Sequence, residues 1–170
     1  MEPLLQQKTL MISTATPDGK PSISYAPFIN IEGKIYIYVS EMGAHYHNMI
    51  ANPKVAIMMI EDEAVAKNIF ARCRVSFDAT ATKMVEVPDN VWQTYEEVHG
   101  KEMLQMLRSL DFDMFELEVH QGRLIKGFGQ AYDLEFKDGD WVKEPVKDGG
   151  HGGKTGQHPG MGHPHGMPKA

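Results

Sequence analysis

Residues 34 to 60 read KIYIYVSEMGAHYHNMIANPKVAIMMI. Ile35 to Val39 is a run of β-branched and aromatic residues, the composition of a buried strand. Ser40 and Glu41 stand where a helix can start, since a short polar side chain satisfies a free backbone N–H. Met42, Tyr46, Met49 and Ile50 recur at helical spacing and give one apolar face. Asn52-Pro53 ends the helix, because proline denies the α conformation to the residue before it. Val55 to Ile60 is a second buried strand. Strand, short helix and strand leave Ser40, His45, His47 and Asn48 near one mouth. The free N–H groups of a helix start favour an anion there, a phosphate or a carboxylate.

Outward from this stretch, Thr9 to Thr14 and Ser22 to Ile29 read as strands joined by the turn Thr16-Pro17-Asp18-Gly19. Glu32-Gly33 makes the next turn. Glu61 to Asn68 is acidic and then polar, a loop or a short helix. Ala71 to Thr82 alternates strictly: Ala71, Cys73, Val75, Phe77, Ala79 and Ala81 share one face. The opposite face carries Arg72 and Arg74 side by side. Pro88 to Leu110 is helical, with stripes Val91, Tyr95, Val98 and Met103, Leu107, Leu110, and Gly100 separates two helices. Met114 to His120 is a strand with Phe115, Leu117 and Val119 inward. Gln121-Gly122 turns the chain into a strand over Arg123 to Phe136. Gly127-Phe128-Gly129 interrupts it as a bulge or a close backbone approach. Trp141-Val142 adds a last short strand after the turn at Lys137 to Asp140.

These readings give a folded domain over 1–143 and a tail over 144–170 rich in Gly, His and Pro. The tail has too little apolar surface to offset its chain entropy. Seven or so strands with two helical regions describe a mainly β protein with short helices, a small antiparallel barrel. The net charge of −6 argues against nucleic acid as the main partner. Cys73 is the sole cysteine, which excludes an internal disulfide and fits a reducing compartment. No leader pattern opens the chain and no apolar run is long enough to span a bilayer, so a soluble cytoplasmic protein without membrane contact is expected. GxGxxG, P-loop, GxSxG and HExxH motifs do not occur.

Strand, PDG turn, strand, YIYVS, short helix and NPKVAIMMI together resemble the split β-barrel of the pyridoxamine 5'-phosphate oxidase superfamily, the FMN-binding split barrel. Within it, SEMGAHYHNMIANPKV, AKNIFARCRVSF and GRLIKGFGQAYDL resemble the haem-utilisation branch, the HugZ and ChuZ type of haem oxygenase. The resemblance covers about Lys8 to Leu134. It implies a homodimer that binds haem between subunits, an axial histidine from a C-terminal loop, and an arginine near the distal side. The larger members carry an N-terminal region that does not precede this stretch.

The tail histidines His151, His158, His163 and His165 have three readings: a solvated tail, a site for nickel, zinc or copper, or an axial haem ligand. The resemblance favours His165, then His163, as the ligand of the haem iron. Arg72 and Arg74 are solvated strand charges or, by the resemblance, catalytic contacts on the distal side or to a propionate. His45 and His47 are surface or half-buried histidines; with Ser40 and Asn48 they lie where flavin-binding relatives hold the FMN phosphate. Arg123 and Lys126 are propionate partners, and Gly127 lets haem or a partner strand come close. Cys73 is an inert core residue, and Tyr132 and Trp141 either wall an apolar pocket or pack in the core. The expected function is haem degradation in iron utilisation, with electrons from an external donor. An FMN-dependent oxidoreductase of the same fold and a non-catalytic haem or metal carrier are the alternatives.

Overall fold

The structure is a computed structural model and describes residues 1–146. Six strands close a barrel: β1 (Thr9–Ala15), β2 (Pro21–Ile31), β3 (Lys34–Ser40), β4 (Lys54–Ile60), β5 (Arg74–Lys83) and β6 (Phe112–Gly127). Their order is β3-β2-β1-β4-β5-β6, and β6 returns to β3, with every pairing antiparallel. Two more strands, β7 (Gln130–Lys137) and β8 (Asp140–Pro145), extend from the far half of β6. Closure removes the open edges that an eight-stranded flat sheet would carry at β3.

β6 is the element that splits the barrel. It is 16 residues long, about 50 Å at the usual rise. Phe112 to Leu117 pairs with β3, and Gln121 to Gly127 pairs with β7. Between them the register against β5 slips: Val119 faces Ala79, Gln121 faces Asp78, and His120 is the extra residue of a bulge. One extra residue reverses the alternation, so Phe115, Leu117 and Val119 point inward before it and Leu124 after it. Gln121-Gly122 is therefore not a turn, because the strand runs straight through it. The turn is Phe128-Gly129, a two-residue hairpin loop with Gly129 at φ +65°, where the sequence pointed to an interruption within one strand.

Short helices close the ends. The N-terminal turn α1 (Glu2–Leu5) buries Leu4 and Leu5 against the core at the β4 exit, where the Gln7 side chain donates to the Ile60 carbonyl at 2.9 Å. At the opposite end, α2 (Ala44–Ala51) buries Tyr46, Asn48 and Met49. α2 begins three residues later than the sequence suggests. Ser40 ends β3 instead, and its hydroxyl accepts the Met42 N–H at 3.0 Å in a tight turn. Met42, expected on the apolar face, is 87% exposed as a result, and Ile50 is exposed too.

A second apolar layer covers the outer side of β2, β3 and β6. α3 (Asp89–His99) and α4 (Lys101–Arg108) are separated at Gly100, as the sequence indicates. Val91, Tyr95 and Leu104 pack on Ile29, Tyr36, Tyr38 and Met114. The stripe on α4 is Leu104 with Leu107, while Met103 and Leu110 face solvent. The Tyr95 hydroxyl donates to the Pro27 carbonyl at 3.0 Å, and His99 Nε2 meets the Phe28 carbonyl at 2.9 Å. β5 starts at Arg74, since Ile69–Ala71 is a 3-10 turn rather than strand. β8 runs to Pro145, and Val146 N–H still bonds the Ala131 carbonyl, so ordered pairing passes the Lys143 boundary. Tyr132, Trp141 and Cys73 all pack against the core, with Trp141 stacked 4.7 Å from Phe77.

Two measurements check this packing. A Cβ at Gly122 would lie 2.4 Å from the Phe77 ring and 2.5 Å from the Ser76 carbonyl oxygen, a backbone atom that cannot swing away. Gly122→Ala should cost about 1–3 kcal/mol and lower the melting temperature by several degrees. Gly127→Ala, where the nearest atom is a flexible Gln130 oxygen at 3.7 Å, should stay near wild type. Equal melting points for the two variants would contradict the close approach. The second concerns pH. Burial holds His99 below its ordinary value near 6.5 against the opposing effect of the Phe28 carbonyl, and burial lowers His45 likewise. The unfolded chain then takes up these protons first. Their contribution is complete above pH 6.5 and is lost as pH falls toward the folded-state values. His99→Gln should flatten the decline of melting temperature below pH 6.5 without abolishing it, because His45 acts in the same direction.

Candidate functional site

The sequence-derived site residues fall into two groups at opposite ends of β6. Ser40 lies opposite Phe112 at its start, and Arg74 lies opposite Ile125 near its finish. That is on the order of 40 Å measured along the strand. One chain does not gather them into a single pocket.

At the α2 end, Asn48 is buried and donates to Thr14 Oγ1 at 3.0 Å, so it ties the helix to β1. The His45 ring folds back over Gly43, where a Cβ would come within 2.5 Å of it. His47 is exposed and meets Tyr46 edge-on. Ser40 Oγ reaches Asp111 at 3.4 Å. The centre of this end is a network absent from the sequence motifs. The Tyr46 hydroxyl donates to Asp113 at 2.6 Å, and Lys83 reaches Asp113 at 2.7 Å and the Tyr46 oxygen at 2.9 Å. Burial opposes the Asp113 carboxylate, but Lys83 and Tyr46 outweigh it and keep the group below the ordinary carboxylate range. The hydrogen bonds to Asp113 and Tyr46 hold Lys83 firmly protonated. Glu41 and Asp111 add further carboxylates to this end, at the Tyr46 hydroxyl and at Ser40, and the Lys83 ammonium is already engaged with Asp113. This donor set does not suit a flavin phosphate.

The other end is built from the loop over 61–73 and the finish of β6. Arg72 does not stand beside Arg74 on a strand face. It precedes β5 and turns its guanidinium back to the Glu61 carbonyl, with Nε at 3.0 Å and Nη2 also bonded, and Glu63 at 3.8 Å. Glu61 N–H donates to Cys73 O at 2.7 Å and its carboxylate accepts Cys73 N–H at 3.1 Å, closing the loop at its neck. Asn68 caps the 3-10 turn by accepting the Phe70 N–H at 3.0 Å. Arg74 donates to the Arg72 carbonyl at 3.2 Å and, among the described residues, makes no ion pair. Lys126 lies past Ile125, its ammonium 5.6 Å from the Tyr132 ring centre. Arg74 shares the face of Ile125, whereas Lys126 lies with Tyr132 and Leu124 on the other. A guanidinium or an ammonium without a carboxylate partner can each pair with a carboxylate such as a propionate.

Arg123 belongs to neither end. It points outward, donating to Asp133 at 3.0 and 2.8 Å, in a groove of about 550 Å³ that also holds Ser76, Asp78 and Glu135. Gly127 is not pressed by any backbone; the close approach falls on Gly122. His151, His158, His163 and His165 lie outside the described residues. What sequence reasoning missed is the Tyr46, Lys83, Asp113 network. Its members come from α2, β5 and β6, and only the β5–β6 register joins them. Phe70 and Phe128 also went unremarked, although an aromatic between two glycines at 127 and 129 is a signal.

Comparison with known proteins agrees with this architecture. The family model of pyridoxamine 5'-phosphate oxidase matches residues 1–126. HutZ of Vibrio cholerae, a haem oxygenase, is 39% identical over 137 residues, covering 78% of this chain and 77% of HutZ. The crystal structure of HutZ, described there as a haem storage protein, superposes with a TM-score of 0.69 at 35% identity over 74% of this chain and 92% of that one. Campylobacter jejuni ChuZ gives a TM-score of 0.73 at 31% identity over 86% of this chain, which spans 63% of ChuZ. The barrel, its two appended strands and these matches leave one assignment: the chain belongs to the pyridoxamine 5'-phosphate oxidase-like split-barrel superfamily, in the haem-utilisation branch of HutZ and ChuZ.

Proposed function

We propose that this protein binds haem and degrades it, as a homodimer with the pocket at or near the interface. The observation that carries the proposal is that Arg74 and Lys126 both stand at the finish of β5 and β6 outside the ion pairs of the described residues, where a cation is open to a carboxylate or to the ligand on the iron. The relatives support it: HutZ is named a haem oxygenase, and its structure is described as that of a haem storage protein. Haem, when bound, supplies the oxygen chemistry through its iron, and the electrons come from an external donor. The chain itself positions the macrocycle. Arg74 is the better distal contact of the two arginines, because Arg72 is spent on holding the 61–72 loop to the barrel.

The segments that form this end, 61–74 and 124–132, contain no histidine. An axial imidazole must therefore reach in from elsewhere. His165, or failing that His163, is the proposed ligand, in the pocket of its own or the partner subunit. Dimer formation is supported by the outer face of the barrel. Ile23 and Tyr25 on β2 are 74% and 66% exposed, and the row continues through Met11 on β1 to Met58 on β4. An apolar row of this kind on a closed barrel is best covered by a second subunit.

Titration of the purified protein with haemin should produce a Soret band with an imidazole-type spectrum. Ending the chain after Val146 should leave a folded dimer and remove that spectrum; His165→Ala should reproduce the loss. An unchanged spectrum in the truncated protein would move the ligand into the barrel, to His45 or His47. With reductant and air, Arg74→Ala should slow single-turnover haem loss roughly tenfold or more while changing haem affinity less. Arg72→Ala should instead lower the melting temperature. Haem bound without loss would make the protein a carrier, and a 19.1 kDa monomer by light scattering would refute the dimer.

A further inference from the structure

Two large aromatic side chains project from the same end as Arg74 and Lys126. Phe70 is 86% exposed and Phe128 is 70% exposed. Arg74 lies opposite Ile125. The chain read backward from Arg74 reaches Phe70 after four residues, and read forward from Ile125 it reaches Phe128 after three, so both run off the same strand ends. The 3-10 turn that carries Phe70 also packs against β6.

Neither residue is there for the local backbone. Phe128 occupies the first position of a two-residue hairpin loop, a place that with negative φ accepts most residues and gives no local reason for an aromatic. Its φ is not positive, and Gly129 alone supplies the left-handed residue. Phe70 sits in a 3-10 turn whose geometry is set by the Asn68 cap and by Arg72, and its ring packs in neither core cluster. An exposed phenyl ring forgoes the stabilisation of burial until something covers it. Two such rings at the end of β5 and β6 that also carries Arg74 and Lys126 put exposed apolar surface, and positive charge outside the ion pairs of the described residues, at one end of the molecule.

We infer that Phe70 and Phe128 are macrocycle-gripping residues: they pack on a flat, apolar, dianionic porphyrin while the Lys126 ammonium is available to a carboxylate of it. This rests on the haem reading above and extends it to a tetrapyrrole contact that does not depend on iron. The aromatic grip acts on the ring, so it holds a metal-free porphyrin as well as haemin.

The test uses the full chain and metal-free protoporphyrin IX, whose binding is followed by its own fluorescence, with haemin in parallel. Phe70→Ala and Phe128→Ala should each weaken both ligands, by roughly tenfold, with unchanged melting temperature, since neither ring packs in the core. Phe128→Leu should recover part of the loss. The dimethyl ester of protoporphyrin, which lacks the carboxylates, should bind weakly but remain sensitive to both variants. Phe128→Trp should report contact directly, through quenching of an added indole signal when porphyrin binds. Unchanged affinities in both alanine variants, with wild type binding normally, overturn this inference and leave the haem reading intact. Alanine variants that dissociate the dimer and keep porphyrin affinity overturn it too, because the rings then belong to the subunit contact. Failure of the wild type to bind either ligand overturns the haem reading and this inference together.

Discussion

The architecture depends on a close contact in mid-strand, Gly122 against Phe77 and the Ser76 carbonyl. β6 has to close the barrel with its first half and carry β7 and β8 with its second. A regular strand serving both would keep one alternation throughout. The bulge at His120 changes the alternation, and Gly122 lets the shifted strand lie flat on the Phe77 ring. Phe77 is in turn covered by Trp141 from β8, itself 5.0 Å from Phe136, so the extra strands complete the core instead of adorning it. Bulge, missing Cβ and stacked aromatic are one device. Its result is that β5 and β6 continue past the barrel as a paired arm, and the arm ends at Arg74, Lys126, Phe70 and Phe128.

That geometry explains why two ends of the molecule do different work. The α2 end is closed by a satisfied network in which Tyr46, Lys83 and Asp113 use one another's hydrogen bonds. Such a network is rigid and costly to disturb, and it leaves little for a ligand. The arm end is the reverse. Its loop is tethered by Arg72 and Glu61 at the neck, yet its cations and aromatics face outward with few partners inside the chain. Rigid support with unsatisfied chemistry at the tip is the arrangement a binding site requires.

The fold was largely legible because the strands announce themselves locally. Ile35 to Val39, Val55 to Ile60 and the alternation through Val75, Phe77, Ala79 and Ala81 each name a buried face without any tertiary information, and all three are strands with that face inward. The misreadings came where alternation is interrupted by design. Gln121-Gly122 has turn composition, and only the partner strand shows that it is a bulge beside a tight contact. Arg72 has the parity of a strand residue, but the Glu61 carbonyl captures its guanidinium before the strand begins. The candidate site was legible as segments and not as a place: AKNIFARCR and GRLIKGFG are adjacent only through the β5–β6 register. The network at Asp113 was not legible at all, because no one of its residues has an unusual neighbourhood in sequence.

A chain of net charge −6 looks like a poor host for a dianion, and the charge map removes the difficulty. Screening at physiological ionic strength confines an exposed charge to about 8 Å, so the sum over the chain matters less than what lies at the site. The carboxylates of β7 and β8, Asp133, Glu135 and Glu144, line the outer groove, and Asp133 is neutralised there by Arg123. Glu41, Asp111 and Asp113 are at the far end of β6. At the arm end Glu61 spends its carboxylate on the Cys73 N–H and Glu63 faces Arg72, which leaves Arg74 and Lys126 outside the ion pairs of the described residues. The same distribution that argues against a long polyanion such as nucleic acid, which needs a continuous positive track, is compatible with a small ligand carrying two charges on one edge of an apolar plane.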